Sequence, residues 1–186
     1  EKGRIKSITA EPPNLPDTAI RLALKDATLV PGLVDAHAWA APTSDLDAGY
    51  FYLLSLAHGV TTNRVINVRT AWGVAQRGRS AAGTIDAPAL STSGRGIDQS
   101  ASPGRWLFDA PDAAAATDEL ARQMAAGVDW IAGYDNVAPD VYQAMAAALR
   151  GSPVRLCAQP GSSSMADLAA AGVHSIETLA FPTQAR

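Results

Sequence analysis

Short strand-like runs alternate with helix-like runs along most of this chain of 186 residues. The strand-like runs are apolar or rich in β-branched residues and are bounded by turn-forming residues, which is typical of buried strands. They cover residues 29–37, 59–66, 85–92, 128–134, 153–158 and 173–179. Strands that are joined by helices pair in parallel through right-handed crossovers. The alternation therefore predicts an α/β fold, either an open doubly wound sheet or most of an eight-stranded β/α barrel.

Helical stretches separate these runs, and the last three are followed by a glycine. Helices are predicted at residues 45–58, near Trp72, and at 111–126, 139–149 and 164–171. Gly127, Gly151 and Gly172 suit helix C-termini, because glycine accepts the left-handed conformation that commonly ends a helix. No Gly-x-Gly-x-x-Gly follows the first of the strands, which disfavours a dinucleotide site.

The charge and composition of the chain limit the binding partners and the cellular compartment that we expect for it. The net charge is −3 and no cluster of Lys and Arg stands out, so a nucleic-acid partner is not expected. No segment is long and apolar enough to predict a membrane span. The single cysteine, Cys157, cannot form an internal disulfide and favours a reducing compartment, so we expect a cytoplasmic location. Residues 1–5 open in the middle of a pattern, so a preceding segment is also expected.

Five short motifs occur in order along the chain. They are Gly-Arg-Ile-Lys-Ser-Ile at 3–8, Pro-Gly-Leu-Val-Asp-Ala-His at 31–37, Gly-Val-Thr-Thr at 59–62, Gly-Val-Asp-Trp-Ile at 127–131 and Ala-Gly-Val-His-Ser-Ile-Glu at 171–177. Together they resemble the amidohydrolase superfamily, in its imidazolonepropionase-related and prolidase-like branch. The resemblance covers nearly all of the chain and implies a TIM-type β/α barrel whose first six β/α units are present.

The same resemblance implies two domains. Residues 1–26, which include strand-like runs at 2–8 and 19–24, correspond to part of a small β-sandwich domain. Residues 27–186 correspond to an incomplete barrel, because a complete barrel of this type needs about 250 residues. We therefore expect the rest of the barrel to come from a missing segment or from a second chain, and a homo-oligomer is one form this can take.

The resemblance also implies metal chemistry, from which this sequence departs. The family uses His, carboxylated Lys and Asp side chains to hold divalent ions, which lower the pKa of bound water to about 7. Its first His is present as His37, but the next positions carry Trp39, Ala132, Cys157 and Thr178. His37 and the Cys157 thiolate make two zinc ligands, whereas catalytic zinc usually takes three from the protein. We expect no cofactor, with zinc or another divalent metal as the alternative.

Further residues at the carboxyl ends of the strands are candidates for an organic-ligand site. His37 and Asp135 are ordinary general acid–base types, so both are catalytic candidates. Trp39, Ala132, Cys157 and Thr178 are candidate ligand contacts, and so are Asn63, Arg95 and Tyr134. Four of these residues also have a plainer interpretation: His37 as a hydrogen-bonding relic, Cys157 as a small buried hydrophobe, Asp135 as a loop residue and Arg95 as a solvated cation.

Three functions remain open from the sequence. The first is a metal-free relative whose barrel mouth binds a small organic molecule and catalyses a non-hydrolytic step, such as cyclisation, isomerisation or elimination. The second is a metal-dependent hydrolase of cyclic amides or other non-peptide C–N bonds with an atypical site. The third is a noncatalytic binding or structural subunit. A fold hosts many functions, so the resemblance alone does not decide among them.

Overall fold

A computed structural model describes residues 5–11, 13–39, 45–99 and 107–178. The chain divides into two compact units, Glu1–Pro31 and Gly32–Arg186. In the first unit, the described residues form no helix or strand. The predicted strands at 19–24 and, from residue 5 onward, at 2–8 are therefore not confirmed. Two short isolated strands are at best marginally stable in water without further strands or a helix to pack against.

The second unit contains thirteen elements over the part of the chain that is described. They are β1 (Leu33–Ala38), α1 (Asp45–Ala57), β2 (Val60–Val65), α2 (Thr70–Ala81), β3 (Ala89–Thr92), β4 (Gly96–Asp98), β5 (Leu107–Asp109), α3 (Ala113–Ala126), β6 (Trp130–Gly133), α4 (Pro139–Ala148), β7 (Arg155–Ala158), α5 (Met165–Ala171) and β8 (Ser175–Ile176). None of the described helices is long and apolar enough to cross a membrane.

All strand pairs in the described residues are parallel, as the alternation predicts. One sheet has the order β1-β2-β3 and the other β5-β4-β6-β7-β8. A bridge between Ser93 and Trp130, and a 2.9 Å hydrogen bond from the Asp129 amide to the Thr92 carbonyl, connect β3 to β6. The six strands expected from the sequence thus follow one another in chain order. They do not close into a barrel within the described ranges.

Local signals fix the ends of the helices. The Asp112 carboxylate accepts a hydrogen bond from the Ala115 amide at the start of α3, and Gly127 ends that helix with φ of +89°. Ser164 and Asp167 form a reciprocal capping box at the start of α5, and the hydrogen bonds from Ser164 to the Asp167 carboxylate lower its pKa. Gly172 ends α5 with φ of +86°. These caps reproduce the boundaries that the sequence predicts to within two residues.

The largest core lies between the second sheet and helices α3, α4 and α5. Its largest buried side chains are Ile97, Leu120, Ile131, Tyr142, Met145, Leu156 and Leu168. Gly133 allows the Tyr142 ring to approach β6, since a Cβ at Gly133 would lie 2.4 Å from a ring carbon. The Tyr142 hydroxyl donates to the Tyr134 carbonyl at 3.1 Å. The helix-facing side of the sheet is therefore closely packed.

Two strands, β4 and β5, lie outside the six strand-like runs that the sequence predicts. Each has only three residues, so neither presents a hydrophobic run long enough to recognise. Helix α2 is longer than the short helix predicted near Trp72 and extends from Thr70 to Ala81. The end of the run at 173–179 lies outside the described residues.

Candidate functional site

Strand alternation sorts the side chains of the second unit into two faces. Ile131 and Leu156 pack into the helix-facing core, so their neighbours Trp130, Ala132 and Cys157 point to the opposite side. We call that side the inner face. In β6 and β7 it carries a second cluster in which Ala132, Tyr134 and Cys157 pack together, with Trp130 against them. The candidate site lies on this face, at the carboxyl ends of the strands.

The centre of the site is a contact between His37 in β1, Arg64 in β2 and Glu177, which follows β8. Nδ1 of His37 lies 2.8 Å from Oε2 of Glu177. One guanidinium nitrogen of Arg64, Nη2, donates to both carboxylate oxygens of Glu177, at 2.7 and 2.6 Å. The Glu177 side chain is 3% exposed and that of Arg64 12%, whereas 31% of the His37 side chain is exposed. A nearly buried carboxylate therefore contacts two basic side chains, and the imidazole is the more open of the two to solution.

The Arg64 guanidinium is held from several directions. Its Nε donates to the Ala36 carbonyl, and its central carbon lies 4.4 Å from the centre of the Trp130 ring, which is a cation–π contact. The Trp130 indole N–H donates in turn to the Ser91 hydroxyl at 3.1 Å. Arg155 also lies 5.8 Å from the same ring. The ring and its neighbours fix Arg64 beside Glu177.

The side chain of Asp35 holds the backbone of His37 in place. Asp35 Oδ1 accepts a hydrogen bond from the His37 backbone amide at 3.0 Å. Because Nδ1 contacts Glu177, the ring presents its second nitrogen, Nε2, which has no hydrogen-bond partner in the described residues. An imidazole with one nitrogen bound to a carboxylate and the other open has the arrangement of a general base or acid.

Cys157 and Ala132 lie at the buried bottom of the site. Parallel pairing places them side by side on β7 and β6, and both are almost fully buried. Burial raises the pKa of the Cys157 thiol well above its usual range, and the negative charge of Glu177 raises it further. The thiol therefore stays protonated, which agrees with its interpretation as a small buried hydrophobe rather than a nucleophile.

Trp39, Asn67 and Tyr134 form a second group beside this centre. Burial raises the pKa of the Tyr134 hydroxyl well above its usual range, and the side chains of Asn67 and Trp39 partly offset that rise. Asn67 adopts the left-handed backbone conformation, with φ of +54°, and its side-chain oxygen accepts from the Gly96 amide at 2.9 Å. Trp39 is 58% exposed, so its ring forms part of an open wall instead of filling the site.

The remaining predicted residues lie in different surroundings. Asn63 is fully buried and donates to the Ser55 hydroxyl on α1 at 3.2 Å, on the helix-facing side of β2. Arg95 is exposed and donates to the Leu107 carbonyl at 2.6 Å. Asp135 is half-buried, and its carbonyl accepts from the Ser162 amide at 2.7 Å. Thr178 is half-buried directly after Glu177.

Sequence reasoning alone does not single out Glu177 or Arg64 as site residues. Glu177 directly precedes Thr178, and strand alternation turns the two side chains to opposite sides. Matching Thr178 to a family position therefore leaves Glu177 unrecognised as a site residue. A charged residue near the end of each of two strands predicted to be buried is the available signal, because buried charges are normally paired.

The residues present do not fit the divalent ion that the resemblance implies. Nδ1 of His37 is directed at Glu177, and the guanidinium of Arg64 occupies both oxygens of that carboxylate. No group of three His, Cys, Asp or Glu side chains suited to a metal occurs in the described ranges. A guanidinium beside the carboxylate also repels a second cation, so His37 and Glu177 are poorly placed to hold a metal ion.

Solved structures share this fold. A Bifidobacterium longum protein proposed to be a prolidase is 21% identical with a TM-score of 0.71, over 78% of this chain and 39% of its own. A Xaa-Pro dipeptidase with bound methionine in its active site is 16% identical with a TM-score of 0.63, over 78% and 47%. A bottromycin amidohydrolase is 20% identical with a TM-score of 0.62, over 78% and 32%.

Sequence comparisons add no further relative. No family model and no curated protein matches the chain. The chain spans less than half the length of each of the three structures named above. At these identities the likeness concerns the fold and not the activity. The chain therefore shares its fold with these prolidase-like, dipeptidase and amidohydrolase structures, in agreement with the resemblance of its strand motifs.

Proposed function

We propose that this chain forms a metal-independent site for a small organic molecule, in which His37 moves a proton in a non-hydrolytic step. The step is a cyclisation, isomerisation or elimination, and each of these needs a base, an acid or both. Glu177 orients the imidazole through Nδ1, and Nε2 faces the ligand. The observation that carries the proposal is the 2.8 Å contact between a partly exposed imidazole and a nearly buried carboxylate.

The chemistry of the pair supports proton transfer. Imidazole is the side chain that most often acts as a general acid or base. A carboxylate that accepts from Nδ1 stabilises the imidazolium once the ring is protonated, as in hydrolytic triads. Asp135 stays the candidate for the second proton-transfer group, and it is half-buried.

The neighbouring side chains suit a planar, partly apolar ligand. Trp39 offers an exposed indole for stacking, and the Tyr134 hydroxyl lies near it. Ala132 and Cys157 leave an uncharged floor, since the Cys157 thiol is protonated. A cyclic amide, imide or related carbonyl compound combines a flat apolar body with an acidic C–H, and this class is our proposed substrate.

Deuterium exchange tests the proposal even when the product is unknown. A panel of cyclic amides, imides and ketones is incubated with the protein in D₂O, and each compound is analysed by mass spectrometry. Proton transfer at carbon appears as deuterium uptake. We expect at least one compound to exchange with the wild-type protein and not with His37→Gln. His58→Gln is the matched control, since that His lies outside the site. Equal exchange with wild-type protein and His37→Gln would contradict the proposal.

A second candidate is hydrolysis of a C–N bond, which the names of the similar structures favour. A prolidase, a dipeptidase and an amidohydrolase are all hydrolytic enzymes by name. In the same assay a hydrolase adds one water to a compound instead of exchanging a proton. Water addition that disappears after chelation would replace our first proposal with this one.

The third candidate, a binding subunit, is favoured by an apolar stripe on α1. Leu46, Tyr50 and Leu53 recur at helical spacing and are 82%, 72% and 53% exposed. We propose that further polypeptide, from a longer chain or a second copy, covers this stripe. We expect the isolated chain to self-associate in native mass spectrometry and Leu46→Lys with Leu53→Lys to reduce the association. A wild-type chain that stays monomeric at high concentration would contradict it.

A further inference from the structure

We propose that Arg64 is the positioning residue of this site: its guanidinium, stacked on Trp130, holds Glu177 so that His37 keeps its proton on Nδ1 and offers Nε2 to the ligand. The catalytic use of this arrangement rests on the proposed function, but the effect of Arg64 on the tautomer of His37 can be tested without a substrate.

The Arg64 guanidinium has three kinds of neighbour that fix its position. It contacts the Ala36 carbonyl through Nε, both oxygens of Glu177 through Nη2, and the face of Trp130. A planar guanidinium suits this combination because its donors form a rigid fork and its face stacks on aromatic rings. Few of its rotamers satisfy all three neighbours, so the position of the charge is determined by the strands.

The Arg64 charge in turn fixes the carboxylate of Glu177. A carboxylate that is 3% exposed has lost most of its contact with water and depends on local partners. Arg64 supplies two charge-assisted hydrogen bonds, one to each oxygen. Oε2 is shared by Arg64 and His37, so the guanidinium determines where the acceptor for the imidazole lies.

The position of that acceptor decides the tautomer of His37. The hydrogen bond made by one ring nitrogen determines which nitrogen of a neutral imidazole carries the proton. A carboxylate accepts and does not donate, so Nδ1 must carry the proton when it bonds to Glu177. Nε2 then has a free lone pair, as a general base requires. Arg64 reaches the reacting atom only through Glu177, so it positions the base and does not itself touch the substrate.

Long-range ¹H–¹⁵N spectra of the imidazoles report the tautomer directly. The chain has three histidines, so His58→Gln and His174→Gln assign the signal of His37 by elimination. Spectra are recorded on ligand-free protein at about pH 8.5, well above the ordinary imidazole pKa of about 6.5. We expect the wild-type His37 to be almost entirely in the Nδ1–H form, with an Nδ1 proton that exchanges slowly with water.

Substitutions of Arg64 then separate its charge from its bulk. We expect Arg64→Gln and Arg64→Met to lose the slowly exchanging proton and to shift toward the Nε2–H tautomer. We expect Arg64→Lys to keep the Nδ1–H form but with an Nδ1 proton that exchanges faster than in the wild type. A wild-type spectrum without the Nδ1–H form would overturn the inference. So would a folded neutral variant, checked by circular dichroism, that keeps the wild-type spectrum. A purely structural role would change stability without changing the tautomer of the folded protein.

The lysine variant and the deuterium assay cover the remaining outcomes. If neither neutral variant folds, Arg64→Lys decides alone: an ammonium lacks the fork, so faster Nδ1 proton exchange supports the inference and the wild-type exchange rate contradicts it. If the tautomer follows Arg64 as expected but no compound is deuterated, the proposed function fails and the positioning role stands. If compounds are deuterated while the tautomer ignores Arg64, the proposed function stands and the positioning role fails.

Discussion

The Glu177 carboxylate lies 2.8 Å from Nδ1 of His37 although 140 residues separate them in the chain. The two residues sit beyond β8 and near the end of β1, at opposite ends of the strand order that the described chain forms. The contact therefore connects the first and last described strands on the inner face, and Arg64 from β2 joins it. A site built this way depends on the fold as a whole, which makes it sensitive to single substitutions.

Glu177→Gln should destabilise the protein by about 3 kcal/mol, because it leaves the mostly buried Arg64 cation without a counter-charge. The measurement is the free energy of unfolding from urea denaturation at neutral pH. Glu11→Gln makes the same chemical change at an exposed position and should stay within about 0.5 kcal/mol of wild type. Equal effects at the two positions would mean that the Glu177 contacts contribute little to stability.

The Cys157 thiol should be unreactive in the native protein. Burial and the charge of Glu177 both raise its pKa, so the reactive thiolate is scarce at neutral and mildly alkaline pH. Because the chain has one cysteine, iodoacetamide labelling followed by intact-mass analysis reads this site alone. We expect negligible labelling of the folded protein and complete labelling in concentrated urea. Rapid labelling without denaturant would show that Cys157 is accessible.

Much of the fold could be predicted from local signals. Gly127 and Gly172 end helices α3 and α5 as the sequence predicts, because the left-handed C-cap needs only the residues beside it. Parallel pairing follows from the alternation of strands and helices. By contrast, the paired strands Gly96–Asp98 and Leu107–Asp109 are stabilised by contacts with each other and with β6, which no short window of sequence contains.

The candidate site could be predicted only in part, for a related reason. His37 follows from the motif at residues 31–37, and Tyr134 from its place at the end of a predicted strand. The partnership of His37 with Glu177 and Arg64 depends on how far the sheet curves between β1 and β8, and curvature is a property of many strands together. The same limit applies to Asn63, whose register on β2 turns it toward Ser55 and away from the inner face.

Leu120→Ala on α3 should cost about 3 kcal/mol of stability, because Leu120 is 1% exposed and its removal leaves a cavity between helix and sheet. Leu22→Ala is the matched control, since it makes the same change at a side chain that is 81% exposed and lies outside the α1 stripe. Its effect should lie within about 0.5 kcal/mol. Chemical denaturation of both variants gives the comparison, and equal costs at the two positions would show that the burial of Leu120 contributes little to stability.

Gly133→Ala and Gly49→Ala should change stability in opposite directions. A Cβ at Gly133 would lie 2.4 Å from a carbon and 2.6 Å from the hydroxyl oxygen of the Tyr142 ring, which is 0% exposed and cannot move into open space. We expect a loss of about 2 kcal/mol or more from this overpacking. Gly49 lies inside α1 with nothing within 4 Å of the added carbon, so alanine there should stabilise the helix by about 0.5–1 kcal/mol. Thermal unfolding of the two variants measures both effects, and a stabilising Gly133→Ala would show that Tyr142 does not pack against β6 as described.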